Sequence, residues 1–260
     1  MPHRALPVAL LAVALAATTA CEEKKPPPAP VASATAGFTA SAAPVAAPQP
    51  EPPKKKPKKK LEDCPKTQTV EFPSEEFEAA VRLKARKPSG PITKADLAAL
   101  RSLNLSQMEL DELDVCLFHP MTNLRELFLG RGKIDDLSPI AGATQLQSLR
   151  ASLNPIEDLK PLSGMTKMDR MDLAHTQIRD LSPLEGMTQL EELLLDDTPV
   201  TDIKPLAKLT KLRVLVLKNT QVKDLSPLKA LRELVTLDVR GAPVEDTSVV
   251  MRPGLRIQEY

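Results

Sequence analysis

Tryptophan is absent from this 260-residue chain, tyrosine occurs once, as Tyr260, and aromatic residues make up 2% of it. Globular cores ordinarily use large aromatic rings to fill irregular gaps. A chain with so few must fill its core with something regular, and leucine stacked on leucine is the obvious candidate. Glycine is scarce as well, at 9 residues, and no glycine-rich phosphate loop is present. Neither charge sign is in excess: 35 basic residues meet 34 acidic ones, for a net charge of +1. That balance excludes a polycation built for nucleic acid, so no nucleic-acid partner is expected.

Proline is abundant, at 26 residues, and its distribution divides the chain. Residues 1–20 carry a basic start at Arg4, an apolar run over residues 6–17, and a small-residue end at Ala16 to Ala20. The run is too short to span a bilayer comfortably, which favours a signal peptide over a transmembrane helix. Residues 21–60 are a tether rich in Pro, Ala and Lys. Ten of residues 22–60 are Pro and nine are Ala, so the segment cannot bury enough apolar surface to offset chain entropy. Where polyproline-like, it extends by roughly 3 Å per residue.

Thr18, Thr19, Ala20 and Cys21 resemble the lipobox of a bacterial lipoprotein precursor, in which the cysteine becomes lipidated and N-terminal. Thr18 stands where that pattern commonly has Leu, and ordinary signal peptidase could also accept Thr18 and Ala20. Cysteine parity bears on the choice. The chain has three cysteines, and exported proteins rarely leave one unpaired. Lipid on Cys21 would leave Cys64 and Cys116 as a disulfide pair; the alternative for those two is a pair of buried free thiols. The resemblance implies an exported protein of the cell envelope, held to a membrane through Cys21. Glu22 and Glu23 lack the Asp that often marks inner-membrane retention in such lipoproteins, so the expected place is the outer membrane, the periplasm or the cell surface.

The tether ends in Lys54, Lys55, Lys56, Lys58, Lys59 and Lys60, interrupted by Pro57. Such a run either keeps a linker extended or attracts an anionic envelope polymer or lipid headgroups. Residues 61–99 predict a helical N-terminal cap. Ser74 can cap a helix opening with Glu75 and Glu76 and continuing through Phe77, Ala80 and Val81. Thr93 with Asp96 forms a second, capping-box-like start before Leu97 and Leu100.

From Leu124 onward an apolar residue recurs every 22 positions: Leu124, Leu146, Met168, Leu190, Leu212 and Leu234. Counting each of these as position 1, apolar residues return at positions 4, 6 and 11, and Asp occupies position 13 throughout: Asp136, Asp158, Asp180, Asp202, Asp224 and Asp246. In most units Leu or Ile, one further residue, Pro and a second Leu or Ile follow, as in Leu181-Ser182-Pro183-Leu184. A longer unit of 24 residues starts at Leu100 and carries Cys116. Positions 4 and 6 alternate, so they face one side of a strand. The position-13 carboxylate can accept the backbone N–H two residues on, and Pro supplies no donor that would be orphaned. These aspartates are expected to be structural caps rather than calcium ligands.

This pattern resembles the leucine-rich repeats of the 22-residue class seen in bacterial internalins, over residues 100–250. The resemblance implies an α/β solenoid: a curved stack with a parallel β-sheet on its concave face and short 3-10 or helical turns on its convex face. Seven strands about 4.8 Å apart give a sheet on the order of 30 Å long. Residues 251–260 would add a C-terminal cap strand. The family's Asn at position 9 occurs here only as Asn154; Gly132, Thr176, Thr198, Thr220 and Ala242 take its place elsewhere, and Thr can partly supply the same turn bonding.

Positions 3, 5 and 7 project onto the concave sheet. The early part of that face is charged, with Arg150 beside Asp172 and Arg170 beside Glu192 as expected cross-strand pairs. The later part is aliphatic, with Leu194, Val214 and Val216 together. Phe128 adds an aromatic ring. A protein or peptide partner is therefore expected to touch Phe128, Arg150, Asp172, Leu194, Val214 and Val216, although Val also occurs on such faces simply as a strand former. Beyond residue 20 the histidines are His119 and His175. His175 stands one repeat from Asp197, a pair that could serve as base and orienter or as part of a metal site. The sequence shows no nucleophile or second strong metal ligand with it, so no catalytic residue, metal or cofactor is expected and the chain reads as a non-enzyme. The expected function is a membrane-tethered, lipoprotein-type interaction module of the cell envelope. The alternative is a structural envelope component whose lysine-rich tether grips an anionic polymer.

Overall fold

A computed structural model describes residues 58–259 of the chain. The expected signal peptide, Cys21 and the expected tether up to residue 57 lie outside the described residues.

One parallel sheet of eight strands organises the described residues, with strand order following chain order throughout. The strands are β1 (Ser102–Leu105), β2 (Glu126–Leu129), β3 (Ser148–Arg150), β4 (Arg170–Asp172), β5 (Glu192–Leu194), β6 (Val214–Val216), β7 (Thr236–Asp238) and β8 (Arg256–Gln258). The repeat positions coincide in space. Position 4 forms one continuous row, Leu127, Leu149, Met171, Leu193, Leu215 and Leu237, each in register with the next. This row is fully buried, as are positions 1 and 11 from Leu124 to Val222. A buried Leu contributes on the order of 1.5–3 kcal/mol, and only a neighbouring coil can bury it. The arrangement is a leucine-rich-repeat solenoid.

The opposite side of each coil returns through a short 3-10 turn, such as Ser182–Leu184 or Lys204–Lys208, with Pro in its first two residues. The position-13 aspartates enter these turns. Asp136, Asp158, Asp180, Asp202, Asp224 and Asp246 each accept the backbone N–H two residues on, at 2.7–2.9 Å. Position 9 closes the other turn. Thr176, Thr198 and Thr220 are buried and donate to the position-6 carbonyl of their own coil at 2.8, 2.6 and 2.7 Å. Asn154 reaches further, donating to Gly130 O at 2.9 Å and accepting from Ile134 N–H at 3.2 Å, both in the preceding coil. Gly132 holds position 9 where the irregular first unit crowds it: a Cβ there would lie 2.2 Å from the Leu110 carbonyl oxygen.

That first unit returns through a helical turn, α3 (Val115–Phe118), capped by Asp114, which accepts from Cys116 N–H at 2.8 Å. Preceding β1 are α1 (Glu75–Ala85), capped by Ser74, and α2 (Lys94–Ala99), which opens with a capping box between Thr93 and Asp96. (In chain order, α1 and α2 come before β1 and α3 after it.) Phe77 and Val81 of α1 are buried, and the Phe77 ring meets Phe118 edge-on at 5.9 Å. The apolar end of the stack is thereby covered. Cys64 and Cys116 are joined in a disulfide across the same junction.

Candidate functional site

Parallel register places the position-5 side chains in one row across the sheet: Asn104, Phe128, Arg150, Asp172, Leu194, Val216 and Asp238. Phe128 is half-buried between Asn104 and Arg150. Arg150 is exposed and pairs with Asp172 at 3.2 Å. Ser152 completes this group, accepting from Arg150 Nε at 3.4 Å and donating to Asp172 at 3.2 Å.

Leu194 and Val216 are register partners, and Val214 lies opposite Glu192 on the same two strands. All three aliphatic side chains are half-buried rather than fully exposed. Adjacent rungs are about 4.8 Å apart, so these side chains shield one another while leaving a continuous apolar strip outward. Beyond the strip, Asp238 is 6% exposed and is gripped by Arg240 through contacts of 3.0 Å and 2.6 Å. The Arg240 guanidinium, more than the opposing effect of burial, holds the Asp238 carboxyl below the usual carboxylate range. The face thus has an aliphatic centre between two charge pairs, Arg150–Asp172 and Asp238–Arg240.

The expected Arg170–Glu192 pair is not made. The two residues are register partners, but no ion pair closes between them. Two long side chains on an open surface lose more rotamer freedom than a screened contact returns. Position 7 is expected on this face, but nothing in the sequence singles out Ser152 and Arg240 there. That position carries Gly130, Ser152, Ala174, Asp196, Lys218 and Arg240, so no recurring residue type marks it. Leu153 was missed as well. It is 50% exposed at the turn leaving β3, and a large apolar residue at a turn position was the available signal.

A second feature lies away from the sheet face. Lys58 contacts Asp135 at 2.9 Å and Asp136 at 3.3 Å, and Lys59 contacts Asp114 at 3.0 Å. They border a cleft of about 480 Å³ that also includes Asp111 and Glu112. Burial pulls the Lys58 ammonium down, but its bonds to Asp135 and Asp136 outweigh that and hold it above its ordinary value. Among the described residues, no helix is long and apolar enough to cross a membrane.

Residues 188–230 match the family model for leucine-rich repeats (two copies). Among solved structures, the chain is similar to internalin C2 of Listeria monocytogenes, with 32% identity and a TM-score of 0.64 over 72% of this chain and 83% of that one. It is also similar to a second internalin of that organism, InlF, with 25% identity and a TM-score of 0.56 over 69% of this chain and 59% of that one. A leucine-rich-repeat protein of Leptospira interrogans shares the fold at 19% identity and a TM-score of 0.51, over 64% of this chain and 51% of that one. The chain therefore spans little more than half the length of the latter two. A comparison with curated proteins returned no match. With 22-residue coils, buried leucine rows and an internalin matched at 32% identity over most of its length, the chain belongs to the leucine-rich-repeat family of internalin type.

Proposed function

We propose that this chain is a protein-binding module whose sheet face takes a protein or peptide through Phe128, Arg150, Asp172, Leu194, Val214 and Val216. The observation that carries this reading is the aliphatic strip of Leu194, Val214 and Val216 flanked by the Arg150–Asp172 and Asp238–Arg240 pairs. An apolar centre within a polar rim is the anatomy of a specific interface. The charge pairs would fix a partner's register, and the strip would supply desolvated area. Membrane attachment through lipid on Cys21 belongs to the same reading, supported by the basic start, apolar run and Thr18 to Cys21 of the sequence. The intact mass of the mature chain tests that anchor: a diacylglycerol-bearing Cys21 is expected, and a cleaved, unmodified terminus would remove it.

The polymer-gripping alternative is the weaker reading. Lys58 and Lys59 already face Asp114, Asp135 and Asp136, which leaves less of the lysine run for an external anion.

Photo-crosslinking from position 216 in intact envelopes would identify the partner, whose affinity can then be measured directly. Replacing Leu194→Asp together with Val216→Asp is expected to weaken binding at least tenfold, about 1.4 kcal/mol. Lys208→Ala, in a 3-10 turn, should leave affinity unchanged. Equal affinity for the folded double variant would exclude this face.

A further inference from the structure

The five strands β3 to β7 each leave through a turn whose second residue, repeat position 8, takes a left-handed backbone. Leu153, His175, Asp197 and Asn219 have φ of 60°, 54°, 53° and 55° there, and Gly241 has 72°. Non-glycine residues adopt this conformation at a cost, with Asn, Asp and His tolerated best. Backbone bonds lock the rungs together: His175 N–H donates to Asp196 O, Asp197 N–H to Lys218 O and Asn219 N–H to Arg240 O, each at 2.8 Å. The side chains of successive turns are therefore held close together.

On this column the imidazole of His175 faces two carboxylates. Its Nε2 lies 3.8 Å from Asp196 Oδ2, and its Nδ1 lies 3.6 Å from Asp197 Oδ2. One donor atom from each of the three residues falls within 4.8 Å of the others. Asn219 Nδ2 donates to Asp197 Oδ1 at 2.9 Å, which steadies that carboxylate while its Oδ2 faces the imidazole. Among the described residues, no Lys or Arg comes within 4.0 Å of Asp196 or Asp197, whereas Asp172, Glu185, Glu191 and Asp238 each have one. Two adjacent carboxylates thus share only an imidazole.

We propose that His175, Asp196 and Asp197 form a binding site for a divalent transition-metal ion of the zinc type, with Asn219 as a positioning residue. One imidazole nitrogen and two carboxylate oxygens form a three-ligand set that leaves a fourth position open to solvent. Tetrahedral ligands about 2.1 Å from zinc stand roughly 3.4 Å apart; the 3.6 and 3.8 Å spacings start from different ring nitrogens, so the imidazole must turn a single nitrogen to both carboxylates, starting from donor atoms that all lie within 4.8 Å of one another. The His175 side chain is 47% exposed, and its ring is free to turn one nitrogen toward both carboxylates. Calcium is a poorer fit, because it takes six to eight oxygens. This site borders the sheet face proposed above through the position-7 row but shares none of the residues named for partner binding.

The test is calorimetric titration of the full chain with Zn²⁺, repeated with Ca²⁺. One Zn²⁺ per chain is expected at this cluster. His175→Asn should weaken binding by about a hundredfold, and it keeps a residue that Asn219 shows to fit the same left-handed turn. Asn219→Ala should weaken binding about tenfold by freeing Asp197. His119→Ala should have no effect. Undiminished Zn²⁺ affinity in the folded His175→Asn variant, no binding at millimolar Zn²⁺, or preference for Ca²⁺ would each overturn the proposal.

Discussion

Aspartate carries much of the local order in this chain, and it does so as the ionised form. Backbone and side-chain bonds from Ser226 hold Asp224 below the usual carboxylate range, and bonds from Ser182 and Ser248 do the same for Asp180 and Asp246. The largest effect falls on Asp96, which the Lys87 ammonium and then the Thr93 N–H bring down to about 2. Each of these groups binds its proton more weakly in the folded state than in the unfolded chain. Their stabilisation is therefore present in full above the unfolded value and is lost as pH falls through the folded one. For Asp96 the window runs from about pH 4 to about pH 2. Asp96→Asn is expected to lower the melting temperature at pH 7, with the wild-type and variant curves converging as pH approaches 2. A difference that persists unchanged at pH 2 would mean that the amide perturbs the α2 cap for reasons other than charge.

At the level of the coil, Asn and Thr at position 9 solve the same turn with different reach. Thr176, Thr198 and Thr220 bond within their own coil, whereas Asn154 satisfies Gly130 O and Ile134 N–H of the coil before it. Asn154→Ala should cost about 3 kcal/mol, since it leaves several buried groups unpaired, and Thr198→Val about 1 kcal/mol; urea unfolding midpoints would compare them. Equal losses would show that the inter-coil bonds add nothing. The coil was largely legible from the sequence, because the spacing of Leu124, Leu127, Leu129, Ile134 and Asp136 admits one arrangement of strand, turn and return. The site was legible only in part. Register put Arg150 beside Asp172 as expected, since one rung offset is a fixed distance. Arg170 and Glu192 share that register without pairing, because register sets backbone separation and leaves long exposed side chains free. The His175, Asp196 and Asp197 group was half seen, as His175 with Asp197. Its third member depends on a left-handed backbone at position 8, which His and Asp do not announce as Gly241 does.

Across the whole stack each coil touches only its neighbours, so stability is a sum of coil and interface contributions, and the ends matter most. The N-terminal end is the one held covalently. Cys64 and Cys116 are 52 residues apart in sequence and join the segment before α1 to the first coil. Closing a loop of that length stabilises the folded state by about 4 kcal/mol through the unfolded chain's entropy. In a nearest-neighbour stack that stabilisation should be felt locally. Replacing Cys64→Ser and Cys116→Ser is expected to speed hydrogen exchange in α1, β1 and β2 while β5, β6 and β7 exchange at nearly the wild-type rate. Uniform acceleration would mean that the coils unfold as one cooperative unit, and the covalent link would then protect the distant sheet face as well. Unchanged exchange at β1 and β2 would mean that α1, α2 and the Phe77–Phe118 contact suffice to seal that end without the bridge.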